Sequence, residues 1–272
     1  MNQLKKLLVV WYLLFGTITG SVSLFAAFEF QGVGWASAAA NIRVVGDPHP
    51  DRHVLNPALL SRDVVPRAGF QYFNPFSGLD IHAGSMTVQT RIGKLPMIGG
   101  LSYFGDDKYS ELMLTTGTSW ALSQQFRTGM SLNLFQLNIT DIATQLAMSV
   151  SISTNLKLAE DLQIGSVLQH IVQHGKGLTV PQRFHFGVEY DGGQVVLLFA
   201  LEQEAALPLE LNVALLTSSQ RHWQLAVGYR DLSQTVSAGW RLEYKNIGMH
   251  YSTVMHPDLP LSHGFGLELL FP

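Results

Sequence analysis

The sequence predicts an all-β fold: a transmembrane antiparallel β-barrel of about fourteen strands with an N-terminal plug segment. Three observations lead there. Past Pro66, segment after segment alternates apolar and polar residues with period two. Charged residues make up 14% of the 272 residues, against an ordinary soluble level of about 25%. Beyond the first residues, the longest apolar run is Val195 to Leu201, far short of the ~20 residues a spanning helix needs. A charge-poor surface without such a helix needs an apolar phase, or another protein, to cover it.

Three parts follow in order, 1–27, 28–66 and 67–272. Met1 to Lys6 is short and basic, Leu7 to Phe15 is uninterruptedly apolar, and Gly16, Thr17, Gly20, Ser21 and Ser23 follow. These are the n-region, h-region and small-residue exit of a cleaved signal peptide, so residues 1–27 are expected to direct export. A single membrane anchor is the competing reading; the apolar run is less than half the length it needs. Without Lys5 and Lys6 the chain carries 15 basic against 20 acidic side chains, a net charge of −5. That excludes the basic patch of a nucleic-acid-binding protein. The absence of cysteine excludes disulfide frameworks, thiolate metal sites and cysteine nucleophiles.

Residues 28–66 do not read as a membrane strand. Small residues (Gly32, Gly34, Ala36, Ser37, Ala38, Ala39, Ala40) give way to a polar stretch in which Pro48 and Pro50 forbid regular strand pairing. An exterior tail is one reading. However, Phe28, Phe30, Trp35, Val44, Val45, Leu55 and Leu59 are costly to leave in water, which favours a plug packed in the lumen. His49 and His53 flank a proline turn and are expected to be solvated.

From residue 67 onward, strands are expected to begin near Ala68, Leu79, Met97, Leu112, Thr128, Leu146, Leu162, Arg183, Val195, Leu209, His222, Gln234, Ile247 and Ser262. Phe184, Phe186, Val188 and Tyr190 share one face; Arg183, His185, Gly187 and Glu189 share the other. Asp191-Gly192-Gly193 then turns the chain. Trp223 to Arg230 and Val236 to Tyr244 repeat the pattern, as does Leu146 to Ser153. The apolar phase slips by one at Leu134-Phe135, where a bulge is expected. A soluble sandwich alternates too, but these segments are long and their polar face is small (Gly, Ser, Ala). Trp223, Tyr229, Trp240 and Tyr244 also sit near the ends of apolar faces, where interfacial girdles would lie. At the C-terminus, His263, Phe265, Leu267, Leu269 and Phe271 form an apolar closing face of the kind that barrel insertion machinery reads.

Catalytic chemistry is not apparent. The ten histidines form no His-Glu-x-x-His motif, and His170 and His174, four apart on a strand, would stand about 13 Å from each other. There is no Gly-x-Ser-x-Gly elbow and no phosphate loop. No enzyme activity, metal or cofactor is therefore expected. Alternation sends Arg183, His185, Glu189, Arg241, Glu243 and His250 inward as candidate lumen-lining residues. Opposed charges in a closed lumen ordinarily satisfy one another; lining a solute path is the functional alternative.

The segment before the barrel carries a family resemblance. Phe28-Glu-Phe-Gln-Gly-Val-Gly-Trp-Ala-Ser-Ala-Ala-Ala40, then Asp47, then Asn56-Pro57-Ala58-Leu59, resembles the mature start of PorV/PorQ-type proteins. These are relatives of the FadL-like fourteen-stranded outer-membrane transporters. Val180-Pro181 with Phe186 to Tyr190, Ala226 to Tyr229, and Leu261 to Phe271 resemble later passages in the same order. Ser37 departs from the arginine usual at that position. The resemblance implies a hatch inside the barrel, with Asn56, Pro57 and Ala58 anchoring it near the periplasmic end. It further implies a location in the outer membrane of a Gram-negative-type bacterium and a part in type IX secretion, with secretion components or exported cargo as partners. A FadL-like passive channel for hydrophobic small molecules is the alternative.

Overall fold

A computed structural model describes residues 28, 34–46, 49–61, 64–176, 178–205, 207–217 and 222–271. The expected signal segment, 1–27, lies outside them, as does Asp47. Fourteen strands close into one antiparallel barrel in which each strand pairs with its sequence neighbours and the first pairs with the last. They are β1 Arg67–Asn74, β2 His82–Ile92, β3 Leu95–Gly105, β4 Tyr109–Ala121, β5 Phe126–Ile139, β6 Ala143–Lys157 and β7 Leu162–Lys176. The return half comprises β8 Arg183–Asp191, β9 Val195–Glu204, β10 Glu210–Thr217, β11 Trp223–Arg230, β12 Thr235–Tyr244, β13 Ile247–Met255 and β14 Ser262–Leu270. The seam between β1 and β14 runs from Arg67↔Leu270 to Asn74↔His263. Closure leaves no unpaired edge, which is what lets strands sit in a medium that offers no hydrogen bonds. No helix among the described residues is long and apolar enough to cross a membrane, which says nothing of strands.

Alternation sorts the side chains by face. Outside stand Phe70, Leu101, Leu114, Leu132, Leu134, Val227 and their neighbours, all exposed. Inside stand Ser131, Asn133, Ser149, Ser151, Ser153, Gln224 and Ser237, all buried. Where β1 begins and β14 ends, connections are as short as 93–94 and 245–246; at the other end, 75–81 and 177–182 are longer. This asymmetry is usual for outer-membrane barrels.

Three local expectations need correction. The strand expected from Leu79 begins at His82: Phe76 and Gly78 both adopt positive φ, and the Leu79 N–H closes a turn on the Phe76 carbonyl at 3.0 Å. No bulge occurs at Leu134-Phe135, where β5 keeps unbroken register with both neighbours. The side-chain chemistry slips there while the backbone does not, so Phe135 and Leu137 point inward and Gln136 outward. The register shift lies instead between β6 and β7, at Val150/Ile152, beside His170 with its positive φ of 59°. Finally, Trp240 does not mark a strand end. It begins an outer-face row in which Trp240 pairs with Tyr251, Tyr251 with Phe265, and Phe265 with Tyr72.

Residues 34–46 and 49–61 pack against the inward face. Helix α1 (Trp35–Ala38) lies against β11, β12 and β13; helix α2 (Pro50–Leu55) against β1 to β4; and a 3-10 turn, Pro57–Leu59, against β4, β5 and β6. This explains why the inner wall is small as well as polar. A Cβ on Gly165 would lie 2.2 Å from the Val44 carbonyl oxygen, and one on Gly228 would lie 2.3 Å from the Ala40 nitrogen. Both neighbours are backbone and cannot rotate away. Gly228→Ala is therefore expected to cost the docked segment about 1–3 kcal/mol by overpacking. The check is faster protease cleavage within 34–60 while the barrel keeps its heat-modifiable gel mobility.

Candidate functional site

The lumen is the candidate site, and residues 34–46 and 49–61 bring His49, Asp51, His53 and Asn56 into it. Pro50 occupies the first turn of α2, where its missing N–H is no loss, and Asp51 adds an acid to that turn. The helix stops at Asn56, whose side chain works in two directions. Its Nδ2 donates to the Val44 carbonyl at 2.6 Å, and its Oδ1 accepts from the Ala58 N–H at 3.1 Å, capping the 3-10 turn. Ala58 N–H also reaches the Ser153 hydroxyl of β6 at 3.2 Å. The Asn56, Pro57 and Ala58 tripeptide thus ties the segment to itself and to the wall, with all three residues buried.

A buried ionic cluster forms where α1 and α2 meet β12, β13 and β14. Asp51 accepts the Ala36 N–H through Oδ2 at 2.9 Å, and its Oδ1 meets Nδ1 of His49. Nε2 of His49 meets Oε1 of Glu268. The other Glu268 oxygen accepts from Arg241 Nη2 at 3.3 Å and has Arg67 at 4.0 Å. Arg241 Nη2 also donates to Glu243 at 3.1 Å, and its Nη1 to Gln224 at 3.3 Å. With a carboxylate at each ring nitrogen, His49 needs two N–H donors, which only the imidazolium has. Burial opposes that charge, but Asp51 and Glu268 outweigh burial and hold the His49 pKa above its ordinary value. His53 differs: burial pushes it down to about 4, and its Nδ1–H donates to Gln89 Oε1 at 2.7 Å. The expectation that His49 and His53 are solvated is therefore wrong; both are fully buried beneath the barrel wall.

The six charged residues expected inside divide into two groups. Arg241, Glu243 and His250 join the cluster just described, Glu243 half-buried at its margin. On the other side, Arg183 donates to Glu204 at 2.6 Å and to the Phe28 carbonyl at 3.1 Å. His185 meets Gln169 at 2.9 Å and has Glu202 at 3.7 Å, while Glu189 accepts from Gln163 at 2.6 Å. His170 is buried and His174 exposed, so that pair does not converge. Glu268 is an inward residue that the sequence reading did not single out. Its signal was present in Gly264, Gly266 and Glu268, the face opposite the apolar closing residues. Asp51 and His49 carried no periodicity that could expose them.

Toward the long-connection end the inner wall turns apolar. Phe28, Met113, Phe135, Leu137, Ala147, Leu178 and Val180 form one buried cluster, with the Phe28 and Phe135 rings 4.8 Å apart, edge to face. Leu178 and Val180 come from the β7–β8 connection, which folds over this part of the barrel wall.

No protein-family model matches the chain, and no curated protein matches it either. Solved structures do. The toluene transporter TbuX of Ralstonia pickettii is 10% identical, with 90% of this chain and 100% of that one covered at a TM-score of 0.69. The monoaromatic hydrocarbon channel CymD is likewise 10% identical, covering 90% and 99% at 0.67. The toluene transporter TodX of Pseudomonas putida is 9% identical, covering 86% and 95% at 0.62. At such identity what is shared is the fold alone, a closed outer-membrane-type β-barrel.

Proposed function

We propose that this chain is a non-enzymatic outer-membrane channel for small hydrophobic molecules, with residues 28–66 acting as its hatch. The observation that carries this reading is the apolar patch inside the lumen. Phe135, Leu137 and Met113 pack against Phe28 of the hatch, and an apolar solute leaving water would gain by taking the place of Phe28 among them, whereas ions or sugars would not. The hydrocarbon-channel fold supports the same reading, since TbuX, CymD and TodX are named for toluene and monoaromatic hydrocarbons. The exposed apolar belt, which would be costly in water, supports a place in the outer-membrane bilayer. The secretion role implied by the PorV/PorQ resemblance rests on sequence motifs alone; no comparison adds to it.

Proteoliposomes loaded with the full chain should take up toluene faster than protein-free vesicles, and Phe135→Asp should lower that uptake. Deleting residues 28–60 should raise ion conductance by opening the lumen. Toluene uptake equal to that of empty vesicles would reject the channel reading, and conductance unchanged by the deletion would reject the hatch.

A further inference from the structure

We propose that His49, His250 and Glu268 form a binding site for a divalent transition metal of the zinc type, which pins the N-terminal segment to β13 and β14. One ligand atom from each residue lies within 4.8 Å of the others. All three side chains are nearly sealed from solvent: His49 and Glu268 are 0% exposed and His250 is 3% exposed. His250 is the decisive residue. Among the described residues neither of its ring nitrogens has a hydrogen-bond partner, although a buried imidazole left unpaired is costly. Its ring lies beside that of His49, with centroids 5.8 Å apart. It also occupies space that only a glycine opposite permits, since a Cβ on Gly266 would lie 2.1 Å from the His250 ring.

The surroundings fit the ligand set. Asp51 holds Nδ1 of His49 and leaves Nε2 turned toward Glu268. That is the carboxylate–histidine arrangement that orients a metal-binding imidazole. Two nitrogens and one carboxylate oxygen suit zinc with a fourth position left to water. They do not suit calcium or magnesium, which want oxygen ligands throughout. Arg241 would repel a cation, but its guanidinium already lies against Glu243 at 3.1 Å and against the outer oxygen of Glu268. Metal binding would expel the Nε2 proton of His49, so one proton leaves as one divalent ion enters. The metal then bridges Nε2 and Oε1 in place of that proton and gives His250 the partner it otherwise lacks.

The test uses the full chain extracted from membranes in detergent without chelator. Elemental analysis should find about one zinc per chain, removed by EDTA and restored by zinc sulfate. Cobalt substitution should give visible d–d bands that are lost in His250→Ala and Glu268→Gln. His170→Ala, a buried histidine outside the site, should keep them. Asp51→Asn should weaken zinc affinity by about 10–100-fold while leaving the stoichiometry intact. EDTA should also hasten proteolysis between residues 34 and 60 without altering heat-modifiable mobility. The proposal is overturned if the wild-type chain, dialysed against excess zinc, retains none, or if the cobalt bands persist in His250→Ala. Should that variant fail to fold, zinc retention and EDTA-dependent proteolysis of the wild-type chain decide the matter. None of these readouts depends on which solute crosses the barrel.

Discussion

Replacing Asp51 with alanine is expected to release the N-terminal segment from the barrel while leaving the barrel closed. The substitution strips the buried Ala36 N–H of its acceptor and leaves the His49 charge facing Glu268 alone, a carboxylate already shared with Arg241 and Arg67. Breaking a buried ion pair by removing one partner costs about 3–5 kcal/mol. That corresponds to roughly two to three and a half orders of magnitude in the undocked population. Because Asp51 belongs to the segment and not to any strand, the effect should appear as cleavage within residues 34–60. Barrel folding, read by gel mobility without heating, should not change. Asp51→Asn keeps an oxygen acceptor and should lose less. Cleavage at the wild-type rate in Asp51→Ala would mean the segment is held by its apolar contacts alone.

Arginine in place of Leu114 should damage the barrel itself. Leu114 is exposed midway along β4, directly between Leu101 of β3 and Leu134 of β5, both also exposed. A lipid-facing arginine near the bilayer midplane costs about 2–4 kcal/mol. Urea titration of the chain refolded into liposomes should show this loss. The adjacent Thr115 points the other way and donates to Asn133 at 2.9 Å, so Thr115→Ser, which keeps that hydroxyl, should be nearly neutral. Equal stability for Leu114→Arg and the parent chain would deny that this face meets lipid.

The lumen was legible from sequence to an uneven degree. Each strand lies within three residues of its expected start, because a membrane-facing barrel imposes period two on every strand and turns interrupt it visibly. The inward placement of Arg183, His185, Glu189, Arg241 and His250 follows from the same parity. The bulge was misplaced because Phe135 and Leu137 are apolar residues facing inward. A slip in chemistry and a slip in backbone look alike until the register is known. His49 and His53 were misread because solvation was inferred from neighbouring prolines, and nothing local reveals what covers them.

The architecture is written in the chain's own alternation: closed antiparallel strands, oily outside, small and polar within. Alternation is a local property, written into each strand without reference to any other. The cluster of His49, Asp51, Arg241, His250 and Glu268 arises only when the folded chain brings together residues as far apart as 49 and 268. Which inward side chains share a height in the barrel depends on register, strand tilt and the path of the threaded segment. Those are relations between distant parts of the chain, and no local pattern encodes them.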